Sequence, residues 1–172
     1  GDFHADFANQ YLGGGVLHGG CVQEEILFMI KPECLVGMLV CAKMDENEAI
    51  VISGAEQFSK YRGYGTSVRY DGTHVDQHPF NKKLDCLDNH ICAYDADVAF
   101  FNRNFALKTL HRNLVKAYAA FSSPEKIKPK PNGTITSKYQ FVTGNWGCGA
   151  FGGNKEEKAL IQIMSASVAN VD

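Results

Sequence analysis

The sequence predicts an α/β layered sandwich, on two observations. Compact apolar runs that read as strands (EAIVIS, HICAYDA, KYQFVTG) alternate with segments whose apolar residues recur at helical spacing. One device, a strand followed by a glycine loop and then a helix with an acidic first turn, occurs twice, at GGGVLHGGCVQEE and at GNWGCGAFGGN. The 172 residues suit one domain, a length that buries roughly 70% of the unfolded chain's surface.

The elements follow in order. FHADF alternates enough for a short strand that delivers Asp6 and Asn9 to its end, and the first glycine loop comes next. In CVQEEILFMI, Val22, Ile26, Met29 and Ile30 fall on one helical face. Pro32 stops that helix and opens another, predicted from about Glu33 to Met44. EAIVIS, β-branched and apolar, reads as a buried strand. From Gly54 to Lys83 the chain is polar and loop-rich, with Tyr61, Tyr64 and Tyr70 scattered through it. HICAYDA is a second buried strand, and Leu107, Leu110, Leu114 and Tyr118 mark an amphipathic helix. SSPEKIKPKPNG reads as an exposed connector. KYQFVTG is the last clear strand, and the closing helix is expected to bury Leu160, Ile163, Met164 and Val168. No internal repeat is visible, and the chain stops on that helix, where an α/β domain ordinarily adds another strand.

Composition excludes some classes of function. Apolar content of 45% and charged content of 21% are those of a soluble globular protein. No apolar run approaches the ~20 residues of a membrane span, and no signal-like start is present. A chain opening on Gly1 reads as an internal piece of a longer one. A net charge of -2 argues against a broad nucleic-acid-binding surface, although backbone N–H groups can still hold an anion. The six cysteines form no CxxC pair and sit mostly in apolar segments, which reads as reduced thiols of a nuclear or cytosolic protein.

The glycine loops carry the first chemical reading. Glycine lets the backbone turn sharply and approach a ligand, and a helix N-terminus offers unpaired N–H groups to phosphate. Two such loops at one edge of a sheet predict a ligand with a diphosphate at one end and a group needing carboxylates at the other. Trp146 and Phe151 are placed where bases or riboses could stack. The alternative is that the glycines only make tight turns. A rival also stands: Gly147, Gly149 and Gly152 spell GxGxxG, with Asp172 about 20 residues on, as in a dinucleotide-binding fingerprint. That fingerprint belongs to the first unit of a doubly wound domain, whereas this loop is the last, so the rival ranks second.

Glu24 and Glu25 are adjacent, so on a helix they diverge by about 100° and cannot share one task symmetrically. One can act as acid or base while its neighbour holds substrate hydroxyls, the arrangement of glycosidic hydrolysis. A helix N-terminus lowers a carboxyl pKa, whereas a general acid needs it raised. A merely capped helix explains both glutamates too, and the sequence leaves the choice open.

GGG, seven residues and QEE, spanning Gly13 to Glu25, resemble the signature of poly(ADP-ribose) glycohydrolases, and the likeness continues through ADFANQY, GAEQFSKYRGYG and TGNWGCGAFGG. With similar order and spacing it runs from about Asp6 to Ala169. It implies a three-layer α/β/α sandwich of macrodomain type with a mixed sheet, a single catalytic domain over residues 1–172 that is incomplete at both ends. In the family a helical region precedes the core, and a further strand with another cleft aromatic follows the last helix. The implied activity is cleavage of ribose–ribose bonds in poly(ADP-ribose), releasing ADP-ribose with no metal or cofactor.

By position, Glu25 is similar to the family's acid/base, and Glu24 and Asn9 to the residues that hold the terminal ribose hydroxyls. Asp6, the third carboxylate of the catalytic set, and Gln23 would support the catalytic loop. Gly13, Gly14 and Gly15 would let the ribose lie close to backbone, and Tyr64 would pack on adenine. Gly147, Cys148, Gly149, Ala150 and Gly152 would cradle the diphosphate, with Phe151 against the ribose. The implied partner is polymer attached to modified proteins, without direct nucleic acid or membrane binding, for a nuclear or cytoplasmic monomer. A second class remains: a module that binds ADP-ribose through the same loop and Tyr64 without cutting.

Other candidates are weaker. His74 and His78 in HVDQH have a zinc-pair spacing, but Pro79 and DGTH make that stretch a loop and HExxH is lacking. His18 reads as a loop residue. Cys21 and Cys148 have nothing nearby to activate a thiolate. Lys126, Lys128 and Lys130 read as a solvated run that could also meet polymer phosphates.

Overall fold

A computed structural model describes residues 3–99, 106–127 and 139–171. Strand β1 (Phe3–Asp6) leads through the first glycine loop to helix α1 (Gln23–Ile30), a 3-10 turn (Pro32–Val36) and the single-turn α2 (Gly37–Val40). Strand β2 (Ile50–Ser53), the hairpin β3 (Ser59–Arg62) and β4 (Arg69–Thr73), the short pair β5 (Phe80–Asn81) and β6 (Cys86–Leu87), and β7 (His90–Ala93) follow. Then come α3 (Leu107–Phe121), α4 (Ser123–Ile127), β8 (Phe141–Val142) and α5 (Lys155–Ala169).

The main sheet has the order β2-β7-β1-β8. β1 runs parallel to β7 and to β8, while β2 is antiparallel to β7, so the sheet is mixed. The two-residue strand period sends alternate side chains to opposite faces. Phe3, Ala5, Cys92 and Tyr94 pack on one face with Ala117, Ala120, Phe121 and Ile161 of α3 and α5. Ile91 and Ala93 pack on the other with Phe28 of α1, Cys34 of the 3-10 turn, Ala8, Leu12 and Met44. Helices on both faces make the expected α/β/α layers.

Several local expectations are corrected. EAIVIS is a strand, but a half-buried one at the sheet edge. The helix expected to reach Met44 ends at Val40; Met44 enters the core from extended chain, its N–H bonded to the Gln10 carbonyl at 2.9 Å. The stretch from Gly54 to Lys83 holds a hairpin whose side chains are exposed or half-exposed, so no apolar alternation announced it. The start of the connector is helical (α4), and Lys128 and Lys130 lie outside the described residues. After α5, Asn170 turns in the left-handed region (φ 55°) and Val171 forms a parallel bridge with Tyr139. Among the described residues, no helix is long and apolar enough to cross a membrane.

The helix faces also differ from the apolar pattern. Met29 on α1, Leu107 and Tyr118 on α3, and Leu160, Ile163, Met164 and Val168 on α5 are all exposed. On α3, Leu110 and Leu114 do pack against the core, but the buried face also carries Asn113 and Lys116 beside Ala117, Ala120 and Phe121, and on α5 it carries Lys158, Ile161, Gln162 and Ser165. The reason is ionic. The segment after β7 plants Asp95 and Asp97 between the two helices. Lys116 Nζ lies 2.7 Å from Asp95, which also pairs with Arg112, and Lys158 Nζ donates to Asp97 Oδ1 at 2.6 Å. Asn113 donates to the same Asp97 oxygen at 2.6 Å, and Lys158 also sits 4.9 Å above the Trp146 ring.

Removing the acid strands a buried charge, so Asp97→Ala should cost about 3–5 kcal/mol, whereas Leu160→Ala should stay within about 0.5 kcal/mol. Urea unfolding of both variants checks the assignment; a larger loss from Leu160→Ala would restore the apolar face.

Candidate active site

The carboxyl ends of parallel strands are where α/β sheets leave a crevice. Here a cavity of about 500 Å³ opens at that edge. Its walls are Phe7, Ala8 and Asn9 after β1, the Gly14–Gly15 turn with Val22 to Glu25, Ala96 after β7, the run from Asn145 to Phe151 after β8, Lys155 on α5 and Tyr64 from the β3–β4 turn. The fold therefore brings both glycine loops and the YRGYG tyrosine to one cleft.

The first loop closes over the start of α1. Gln23 completes the end of β1, accepting from Phe7 N at 2.8 Å and donating to the Ala5 carbonyl at 3.0 Å. Glu24 accepts the Asn9 amide on Oε2 (2.9 Å) and the Gly13 amide on Oε1 (2.6 Å). Glu25 accepts the Gly15 amide on Oε1 (3.0 Å) and the Val22 amide on Oε2 (2.9 Å), the latter capping the helix. The two side chains leave the helix in different directions, yet the loop wraps so that both carboxylates meet it. Gly14 shows why glycine is needed. Its φ is 50°, and a Cβ there would lie 2.7 Å from Glu24 Oε2 and 2.8 Å from Glu25 Oε1. Asn9 lines the cleft, with Oδ1 turned back to the Tyr11 amide at 2.9 Å.

Asp6 lies outside the cleft wall. It is fully buried, and among the described residues neither carboxylate oxygen has a hydrogen-bond partner. Burial, then the charges of Glu24 and Glu25, push its carboxyl well above the usual range. Among the described residues it makes no hydrogen bond to the loop, and its interaction with Glu24 and Glu25 is like-charge repulsion, which favours its protonated form. Burial also raises Glu24, to about 7, against the Asn9 and Gly13 amides, which lower it; Glu25 and Asp95 add to the rise. For Glu24, desolvation outweighs these two amides, which come from the loop after β1 and not from the helix end that the sequence set against it.

The second loop is a cradle of turns. Gly147 has φ 71°, and a Cβ there would meet Ala96 Cβ at 2.5 Å. Cys148 N bonds to Asn145 O (3.0 Å), Gly152 N to Gly149 O (3.0 Å) and Gly153 N to Gly147 O (2.9 Å). The consecutive amides of Gly149, Ala150 and Phe151 donate to no group among the described residues. Asn154 caps α5 as predicted, accepting the Glu157 amide at 2.8 Å. The helix thus begins beyond the GxGxxG run, and the acid which that rival requires, Asp172, lies outside the described residues.

Phe151 lines the cleft, but Trp146 belongs mainly to the core. It is fully buried, donates Nε1–H to the Tyr94 carbonyl at 3.0 Å and packs on the Tyr94 ring at 4.9 Å. Burial raises the Cys148 thiol, against a nucleophilic role. Among the described residues, no group of three or more His, Cys, Asp or Glu is arranged to hold a metal. Ala96 and Lys155 were not singled out from the sequence, and Val22, expected on the apolar face of the first helix, is its N-cap and lines the cleft. Only Lys155 carried a signal, a cation placed directly after the helix cap.

Residues 1–172 match the family described as Poly (ADP-ribose) glycohydrolase (PARG), Macro domain fold. The chain is 38% identical to Poly(ADP-ribose) glycohydrolase 1 of Caenorhabditis elegans, across 96% of this chain and 22% of that protein. It is 34% identical to Poly(ADP-ribose) glycohydrolase 1 of Arabidopsis thaliana, across 94% of this chain and 40% of the plant protein. A third relative, Probable poly(ADP-ribose) glycohydrolase 2 of Arabidopsis thaliana, is 35% identical, across 94% of this chain and 36% of its own length. The chain thus spans well under half the length of these curated relatives.

The raised Glu24 carboxyl links stability to pH. A pKa lifted from 4.5 to about 7 means that the folded state holds the proton more tightly than the unfolded one. The resulting stabilisation is fully present below about pH 4.5 and is lost as the pH rises through about 7. Thermal unfolding followed between those limits should show Tm falling, with the slope flattened in Glu24→Gln; an unchanged slope in that variant would refute the assignment.

Proposed function

The chain belongs to the poly(ADP-ribose) glycohydrolase family, and from that premise we propose that it hydrolyses the ribose–ribose glycosidic bonds of poly(ADP-ribose), releasing ADP-ribose. The observation that carries the proposal is the meeting, in one cavity, of the Glu25 carboxylate, the unpartnered amides of Gly149 to Phe151 and the Tyr64 ring. These suit in turn a glycosidic bond, a diphosphate and a purine.

In this reading the diphosphate accepts hydrogen bonds from the free amides and lies near Lys155, which explains how a slightly acidic domain can take a polyanion. Adenine packs on Tyr64, and Phe151 presses on the ribose between them. Glu24 and Asn9 hold the hydroxyls of the terminal ribose. Glu25 gives a proton to the departing ribose oxygen as the glycosidic C–O bond breaks. It then takes a proton from the water whose oxygen adds to the anomeric carbon. Carboxylates around an oxocarbenium-like centre also stabilise its positive charge. The substrate is polymer attached to modified proteins, in the nucleus or the cytoplasm.

One observation favours the second reading, a module that binds without cutting. Both Glu25 oxygens accept backbone amides, as they would in a carboxylate kept only to build the loop.

ADP-ribose release from purified polymer separates the two. Glu25→Gln should abolish release while leaving ADP-ribose affinity within a few-fold; unchanged turnover would remove the catalytic assignment, and absence of release from the unmodified chain together with retained binding would favour the module. Tyr64→Ala should weaken ADP-ribose binding by about 1–3 kcal/mol, measured by calorimetry. Unaltered affinity would move adenine elsewhere.

A further inference from the structure

The hairpin that brings Tyr64 to the cleft has little of its own to hold it there. β3 and β4 form a separate two-stranded sheet, and no residue from 59 to 73 belongs to either core cluster. A lone hairpin is at best marginally stable in water, so its pose depends on its base.

The base is organised around one carboxylate. The Asp76 side chain is only 1% exposed. Its Oδ2 accepts the Gln57 amide at 3.0 Å, from the leg entering β3. Its Oδ1 accepts the His78 amide at 3.0 Å and faces His78 Nδ1, beyond the leg leaving β4. Lys31 Nζ lies 3.7 Å from Oδ2 and donates to the Ala55 carbonyl at 3.0 Å. Lys31 is the C-cap of α1, the helix that carries Glu24 and Glu25, and its own N–H bonds to Leu27 O. Two backbone bonds run alongside, Phe58 N to Ile30 O (3.0 Å) and His74 N to Phe58 O (2.9 Å). Burial alone would raise the Asp76 carboxyl, but the Gln57 amide and the His78 side chain and amide outweigh it and hold it well below the usual carboxylate range. The charge is kept in place by its partners.

We propose that Asp76 is a positioning residue: with Lys31 it clasps both legs of the hairpin to the far end of α1, and so fixes Tyr64 at a set place relative to the glutamates. The consequence for binding rests on the reading above, in which Tyr64 holds adenine. The clasp itself does not.

Hydrogen exchange and ligand affinity on the whole chain test the two parts separately. In Asp76→Ala, the amides of β3 and β4 should lose protection by about tenfold or more while those of β7 keep theirs. Asp71→Asn, on the exposed hairpin pair with Arg62, serves as the control that leaves both unchanged. The Kd for ADP-ribose should rise in Asp76→Ala by about as much as in Tyr64→Ala. The double variant should be no worse than Tyr64→Ala alone, since displacing and deleting one ring are not additive. On polymer, KM should rise while kcat stays within about twofold, and Asp76→Asn, which keeps one acceptor oxygen, should recover part of the affinity.

Retained hairpin protection in Asp76→Ala, or a loss that extends equally to β7, would overturn the clasp. Selective loss in the hairpin with no effect of Tyr64→Ala on ADP-ribose would uphold the clasp and instead remove the adenine assignment.

Discussion

The burial of two adjacent carboxylates under a glycine loop governs the rest of this site. Ions of one sign taken from water side by side are costly, and each of Glu24 and Glu25 meets that cost with two backbone amides. The amides can converge only because Gly14 leaves room where any side chain would strike both carboxylates. Loop, helix start and strand end thus form one unit, which Gln23 ties to β1. Asp6 beneath them adds a third acid without a hydrogen-bond partner among the described residues, and burial raises its carboxyl and that of Glu24.

The opposite wall depends on a second set of buried charges. Asp95 and Asp97 leave the end of β7 and draw Lys116 and Lys158 inward. Lys158 packs over Trp146, whose indole N–H is bonded to Tyr94, next to Asp95. The loop after β8 is thereby fixed against the end of β7, where Gly147 closes on Ala96. Three successive amides of that loop, Gly149 to Phe151, belong to residues that line the cavity and donate to no group among the described residues.

The sequence by itself determined the layered α/β class, the order of the principal strands and helices, the cap at Asn154 and the identity of both glycine loops. These are local properties: apolar period, turn chemistry and capping act over a few residues and can be read along the chain. The specific spacing of GGG and QEE also disclosed the glutamates and the family resemblance. The polar β3–β4 hairpin stayed hidden because exposed strands need no apolar alternation, and the faces of α3 and α5 were legible only in part: Leu110 and Leu114 pack on the core as expected, but Lys116 and Lys158 also point inward while Leu107 and Leu160 stay exposed. Trp146 looked like a stacking platform and proved to be core. Only the tertiary structure decided that the two loops and Tyr64 share one cavity, that Asp6 lies beneath it and that Lys155 stands at it. Each of those facts joins residues distant along the chain, and the desolvation and close approach that decide them arise only once the layers have packed.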